Sequence, residues 1–543
     1  MPTLTIPFSL PPTARTWDKD VTASSKDQFL INGMYEYSNN SGTSSKSLYC
    51  TKRSGSSTGT TIASNLYAVT HFNQLVGELY TTTSAIYSSA GTNLGTIDNN
   101  LVTAQNFMAA DSTVNSKGVV VFATASATGW YLWSDASTTN FPTFTGDTHT
   151  NTVIDNIAST TGIYPGQAIS GAGIQAGTRV ATITSPTAIT TTIATTATAS
   201  ITITKEAVAK IIDSNFPGTL GFVQLNGYFF SLQPQGASGG VIWQSALNDP
   251  SSWATSDICP VDSVGDTATT ISKVGNYIVV GGTNSIQFFR NTGNSIGTIL
   301  SNISEAGSLN LKLITALLPV NGEYYALGSP SMVPINANSE AVGLYRLSGT
   351  TFSRITDDIV GGILVGMTGI GAADIGDKEV IVCYKSNDVA NRTVVPAYDY
   401  ATDNWIFIST ADTLLSIFGR RFTIENQSAF RTWAASSVWQ DSSVAFTMTA
   451  QTQPYALNKG KGFVINSVEL LANTESSGLA TLSISGDDYV TFRSPGSFDL
   501  TKTTKRVHRC GYYRNHAIFK VEDSGNNPAR FQGLYVDWEP CST

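Results

Sequence analysis

SKVGNYIVVGG, residues 272–282, is a hairpin written in sequence: a β-prone run, the turn pair Gly275–Asn276, then Tyr277, Ile278, Val279 and Val280. Glycine and asparagine accept the left-handed backbone of a two-residue turn, and branched or aromatic side chains suit a pleated surface. The unit recurs. It is found as AVTHFNQLVGELY (68–80) around Asn73, TVNSKGVVVFAT (113–124) around Lys117, GFVQLNGYFFSL (221–232) around Asn226, LPVNGEYYALG (318–328) around Asn321 and IGDKEVIVCYK (375–385) around Asp377. From Asn73 to Asp377 the turn-to-turn intervals are 44, 109, 50, 45 and 56 residues.

Four of the five intervals fit one propeller blade, about 40–50 residues with some scatter. The fifth leaves about 64 residues over between Lys117 and Asn226, the length of a small inserted domain. A candidate lies there: residues 145–204, rich in Thr and Ala, without Trp, and alternating in period two through AITTTIATTATASITIT (188–204). Such a segment reads as a β-sandwich of its own. VVPAYDYATDNWIFI (394–408) adds a blade-like turn followed by Trp405, similar to the kelch pattern, with Asp399 and Asp403 in structural roles. Beyond Phe430 the repeat fades into seven or eight short strands. The expected organisation is an all-β chain: a propeller of six or seven blades in 1–141 and 206–428, an inserted Ig-like β-sandwich in 142–205, and a C-terminal β-domain in 429–543.

Composition narrows the function. Charged residues are 13% of the 543, aromatics 10%, and the formal net charge is −8. No long Lys/Arg run supplies the footprint of a nucleic-acid-gripping surface. The first residues, MPTLTIPFSLPPTARTW, lack a basic region before an apolar core, so no signal peptide is expected. The longest apolar stretch, GGILVGMTGIGAA (361–373), falls short of the roughly 20 residues of a spanning helix and reads as a short helix or loop. A soluble protein made in the cytoplasm is expected.

Cys50, Cys259, Cys383, Cys510 and Cys541 are far apart and form no CxxC pair, so isolated thiols are expected rather than zinc ligands or disulfides. His71, His149, His508 and His516 show no metal-binding spacing, and Asp357–Asp358 and Asp487–Asp488 lack the alternating oxygens of a calcium loop. No nucleophile elbow or phosphate loop is present. No catalytic, cofactor-binding or metal residue is assigned, no cofactor is expected, and the chain reads as a non-enzyme.

One motif points elsewhere. In LSISGDDYVTF (482–492), Ser485, Asp487, Thr491 and Phe492 resemble the Asp box of sialidase-like propellers, with Tyr489 in the place of its glycine. A sialidase also needs converging arginines, and Arg290, Arg346, Arg354, Arg392, Arg420, Arg421 and Arg431 show no grouping. A glycan-binding or glycan-cleaving receptor-binding propeller stands as the alternative reading. A cellular kelch-type adaptor is disfavoured, because the repeats diverge and lack the double-glycine signature.

Several segments, in order, resemble the packaged-DNA stabilisation (tail hub or nozzle) proteins of short-tailed bacteriophages. They are INGMYEY (31–37) with LYCTKRSG (48–55), SALNDPSSWATSD (245–257), VGNYIVVGGTNSIQFFRNTGN (274–294), GLYRLSGTTFSRITDDIV (343–360) and the closing region 482–539. Ser54 stands where the family usually has proline, and Tyr489 where it has glycine. The resemblance implies a late virion structural protein: a homo-oligomeric ring, by family a hexamer, that extends the tail tube below the adaptor or connector ring. It implies that the ring retains packaged DNA and conducts it during ejection without sequence-specific contact, beside tail fibres or tailspikes. The inserted domain is expected to face outward, toward a tail component or the host surface.

Overall fold

The computed structural model describes residues 2–8, 29–39, 46–53, 56–58, 66–73, 77–82, 84–88, 91–97, 107–114, 117–124, 128–133, 141–217, 219–234, 239–261, 266–294, 297–303, 311–330, 342–356, 364, 366–375, 378–384, 394–409, 414–418, 422–425, 429–433, 439–441, 444–458, 461–487 and 489–541. They form strands and turns almost throughout, in two compact units: Thr60–Gly369 with 427–429, and the remainder.

The first unit contains five antiparallel groups in chain order, here blades 1 to 5. Blade 1 is Leu66–Asn73, Gly77–Thr82, Ala85–Ser88 and Asn93–Thr96; blade 2 is Phe107–Val114, Lys117–Thr124, Thr128–Trp133 and Ala199–Lys210. Blade 3 runs from Phe222 to Val261 and blade 4 from Ala268 to Asn302; blade 5, Leu311 to Arg354, has its first strand split in two. Asn226–Gly227, Gly275–Asn276 and Asn321–Gly322 turn the first hairpins of blades 3, 4 and 5, with Asn226, Asn321 and all three glycines at positive φ. Asn73 and Lys117 flank the first hairpins of blades 1 and 2.

What makes these hairpins a stack is burial on both faces. In blade 4, Ile278 and Val280 enter the core shared with blade 3, while Val279 between them enters the core shared with blade 5. In blade 2, Trp130 and Leu132 pack toward blade 1, and Tyr131 and Trp133 toward blade 3. Period two sends alternate side chains to opposite neighbours, so a strand between two sheets reads as a continuous apolar run. Each fully buried large side chain contributes about 1.5–3 kcal/mol against about 1 kcal/mol net for a hydrogen bond, so packing between blades dominates pairing within them.

The insertion sits between the third and fourth strands of blade 2. Thr143–Thr148, Val153–Asp155, Gln167–Ser170, Val180–Ser185 and Ala188–Thr191 curl around Ile154, Ile157, Ile163, Ile169, Val180, Ile189 and Ile203. The sheet closes on itself through the bridge Ala168–Arg179. The twelve-residue strand Ala199–Lys210 belongs to both bodies. Its first half pairs with Thr143–Thr148, and Ala209 and Lys210 pair with Tyr131 and Trp130. Tyr164 stacks on Trp133, and Tyr131 Oη donates to Pro165 O at 2.5 Å.

The second unit holds two further groups. Blade 6 is Gly369–Ile375, Lys378–Tyr384, Val394–Asp399 and Asn404–Ser409; blade 7 is Leu414–Phe418, Phe422–Glu425 and Ala429–Trp433, completed by Ser56–Thr58 from the other end of the chain. Of the glycine-rich 361–373, expected as a helix or loop, residues 369–373 lie in the first strand of blade 6, where Ala373 is fully buried, while Leu364 is helical. Asp377 lies outside the described residues, between two strands that pair.

The rest of this unit is built from both chain ends. Thr3–Pro7, Gly33–Asn39 and Lys46–Lys52 join Phe463–Ala472, Arg506–Tyr513 and Arg530–Pro540 in one sheet, with Thr3 opposite Asp537. Phe29–Ile31 joins blade 6 to Met448–Gln451, Ile518–Asp523, Leu479–Ser485 and Arg493–Asp499. One core, including Ile6, Met34, Phe463, Phe519 and Phe531, serves both sheets. The boundaries 1–141 and 429–543 therefore divide strands that the structure pairs. The physical reason is that such pairing leaves no local signal, since the partners lie hundreds of residues apart.

Candidate functional site

Several segments singled out in the sequence set turns between strands. In SALNDPSSWATSD, Asn248 turns at positive φ and Asp249 Oδ1 accepts from Ser251 N at 2.9 Å and Ser251 Oγ at 2.6 Å. Trp253 is delivered edge-on to Phe216 and Phe222, between blades 2 and 3. Its indole N–H donates to Pro250 O at 2.8 Å, so its polar atom is satisfied.

In VGNYIVVGGTNSIQFFRNTGN, the turn after Gly282 closes over the buried carboxylate of Asp266. Oδ1 accepts from Thr283 Oγ1 and from the amides of Thr267 (2.8 Å) and Asn284 (2.9 Å), and Oδ2 from Ser285 Oγ at 2.5 Å. Burial raises the pKa of this acid, but the hydroxyls of Ser285 and Thr283 and the two amides outweigh it and leave it below the ordinary carboxylate value. A Cβ at Gly282 would overlap Asp266 Oδ2, which is why the strand ends in glycine. Four donors from its own turn make this carboxylate a structural anchor.

The Asp-box hairpin is built the same way. Asp487 accepts from Thr491 N (2.8 Å), Thr491 Oγ1 and Ser485 Oγ (2.8 Å), and these bonds hold its pKa down to about 2. Tyr489 occupies the glycine position at φ 70°, with its amide 3.3 Å from Ser485 Oγ and its hydroxyl 3.4 Å from Thr452 O. Phe492 lies under Lys520 Nζ, 4.7 Å from the ring centroid. Asp488 is outside the described residues.

Polar clusters elsewhere do not converge on one place. Arg346 lies 3.6 Å from Glu323, Arg290 is exposed on blade 4, and Arg392, Arg420 and Arg421 are outside the described residues, as is Asp357–Asp358. His149 contacts Asp155 at 2.8 Å on the inserted barrel, and His508 is exposed on Arg506–Tyr513. Among the described residues no group of three His, Cys, Asp or Glu is placed to hold a metal. Trp405 packs on Tyr398 across its own hairpin, centroids 5.3 Å apart, while Tyr398 Oη donates to Asp403 at 2.6 Å and Asp399 caps the turn amides of Ala401 and Thr402.

Sequence reasoning passed over one cluster. Lys52 is buried with its ammonium 2.9 Å from Asp523 Oδ2 and within reach of the carbonyls of Asp523 and Gly525. Burial holds this lysine below its ordinary pKa against the pull of Asp523. Arg53 lies over the Phe446 ring at 3.9 Å and donates to Asn32 Oδ1 at 2.9 Å. The basic pair in LYCTKRSG was the available signal, because two adjacent cations ending an apolar strand need buried partners.

A family model described as "Bacteriophage P22 Gp10, beta-propeller" matches residues 169–368, from the inserted barrel through blades 3, 4 and 5. That segment belongs to the phage-stabilisation family. The phage-stabilisation segment contains both hairpin anchors, Asp249 and Asp266, so the motifs that carry the resemblance are the ones that set its turns. The match supports a phage structural protein. No curated protein sequence matches the chain. Solved structures similar to it include the exo-β-1,3-galactanase of Phanerochaete chrysosporium (12% identity, 71% of this chain and 100% of that one, TM-score 0.23). Others are the phage phi92 endosialidase (9%, 96% and 69%, TM-score 0.24) and a Bacillus subtilis arabinoxylan arabinofuranohydrolase (9%, 80% and 95%, TM-score 0.20). Likeness this slight carries no argument about activity.

Proposed function

We propose that this chain is the tail nozzle or hub subunit of a short-tailed phage, forming a homo-oligomeric, hexameric ring below the adaptor that retains packaged DNA and conducts it during ejection. The observation that carries the reading is the phage-stabilisation match on blades 3 to 5. The charge supports it: Thr60–Gly369 has 17 Asp and Glu against 9 Lys and Arg, so the net −8 of the whole chain resides in this unit. Six copies carry about −48, and acidic walls let phosphates slide without adhering. The protein acts without catalysis; its neighbours are the adaptor ring, tail fibres or tailspikes, and the DNA in the lumen. The inserted barrel, held to blade 2 by a shared strand, meets a tail component or the host surface.

Electron microscopy of the purified protein with its adaptor ring tests the reading. Closed rings with a central hole are expected, and monomers that never assemble overturn it. Glycan arrays and a reducing-sugar assay test the receptor-binding alternative.

A further inference from the structure

The strand Arg506–Tyr513 is the last of its sheet among the described residues; Phe463–Ala472 pairs with one side of it, and no described strand pairs with the other, although Arg493–Asp499 packs close by, Gly496 against Val507. An open edge offers a row of backbone donors and acceptors to another chain and is usually blunted by a bulge or by charges. Here both devices occur. The pairing shifts register opposite Ile465–Ser467, Arg509 sits at φ 59° and Gly511 at φ 112°. A left-handed arginine is strained, and a bulge of this kind re-aims a side chain.

The side chains so presented are basic. Between Arg493 and Arg514 there are six Lys and Arg and one acidic residue, Asp499. Lys502 and Arg506 pair with Asp499 and Glu469, and Lys505 is buried against backbone carbonyls. Arg493, Arg509 and Arg514 are exposed, and no carboxylate among the described residues meets them. Two apolar side chains stand in the same region: Val490 at the tip of the adjoining hairpin, 79% exposed, and Tyr512 on the strand, 59% exposed. Unpaired guanidiniums beside exposed apolar groups are the composition of a protein interface, enriched in arginine and aromatics.

We propose that this edge is the docking surface for a second copy of the chain, received by the acidic Thr60–Gly369 unit of that copy. The inference rests on the ring reading and deepens it by naming the faces. Charge complementarity selects the occupant: the unit that contains the edge has 22 basic and 22 acidic residues, so the acidic excess lies wholly in the other unit. An interface of this kind steers association and fixes register through its charges. Duplex DNA is the less favoured occupant, because exposed Val490 adds nothing to phosphate binding.

The test compares wild type with Arg493→Glu/Arg509→Glu/Arg514→Glu by sedimentation across protein and salt concentration, with circular dichroism and melting as folding controls. Wild type is expected to assemble in a salt-sensitive way, and the variant to fold alike but assemble at least tenfold more weakly. Arg509→Gln/Arg514→Gln is expected to fall between them and serves if the triple variant does not fold. Equal assembly of wild type and folded variant overturns the docking surface and leaves the ring reading standing. Failure of wild type to assemble, alone or on its adaptor, overturns both. If the substitutions abolish a salt-sensitive shift of a 30-base-pair duplex without altering assembly, the edge binds nucleic acid and the proposal fails.

Discussion

Lys52 and Asp523 are 471 residues apart in sequence and 2.9 Å apart in space, both side chains wholly removed from solvent. The pair ties an N-terminal strand to a C-terminal hairpin. Such a pair adds little over an apolar equivalent, yet removal of one partner leaves a buried charge and costs about 3–5 kcal/mol. Asp523→Ala should therefore lower the unfolding free energy of the unit by that amount, read from denaturant titration. Lys52→Met with Asp523→Leu should recover most of the loss, and a double-mutant cycle reads the difference.

Asp487 predicts a pH effect. Its folded-state pKa, about 2, lies below the ordinary 3.8. A depressed carboxylate contributes stability that is fully present above the unfolded value and disappears as pH falls through the folded one. Opening of the 482–492 hairpin should increase between about pH 4 and pH 2, and Asp487→Asn should flatten that dependence. Amide exchange at Thr491 provides the readout.

Tyr489 in a left-handed conformation costs about 1–2 kcal/mol relative to glycine. Tyr489→Gly relieves this but loses the 3.4 Å contact to Thr452 and loosens the unfolded chain. A net change within about 1 kcal/mol is expected in equilibrium unfolding. A loss of several kcal/mol would show instead that the ring, and not the turn, anchors the hairpin.

The joint between barrel and blade gives a paired test. Gly166 and Gly177 both have positive φ, but a Cβ at Gly166 would overlap the carbonyl of Lys210, whereas Gly177 has open space. Gly177→Ala should cost only the backbone preference, about 1 kcal/mol. Gly166→Ala should cost distinctly more and speed exchange at the Lys210 amide, which donates to Gly166 O at 3.0 Å.

Thiol reactivity follows from burial. Cys50, Cys259, Cys383 and Cys510 are buried, and desolvation pushes Cys50 and Cys383 far up and Cys510 to about 11; Cys541 alone is half-buried. Native protein should release one equivalent with a thiol reagent and five on denaturation.

The repeat was legible because its signals are local. Gly275–Asn276, Asn226–Gly227 and Asn321–Gly322 each announce a turn within a few residues of the strands they join, and all mark first hairpins. The surplus after Lys117 located the insertion by subtraction alone. What stayed hidden is long-range: Ser57 opposite Thr432, Thr3 opposite Asp537, and Lys52 meeting Asp523. Gly369–Ile375 misled for another reason, since its small residues serve a tightly packed strand and also suit a loop. The Arg506–Tyr513 edge was hidden too, because a basic residue counts toward a surface only when its sheet order is known.

The pairing of Thr3 with Asp537 also sets an order of birth. Blades 1 to 5 are each complete once their own stretch of chain has left the ribosome, so they are free to fold during synthesis. Ser56–Thr58 must wait for residues near 430, and Thr3–Pro7 for Gly533–Asp537. The sheet that contains the basic edge is thus completed only after residues 530–540 have been made.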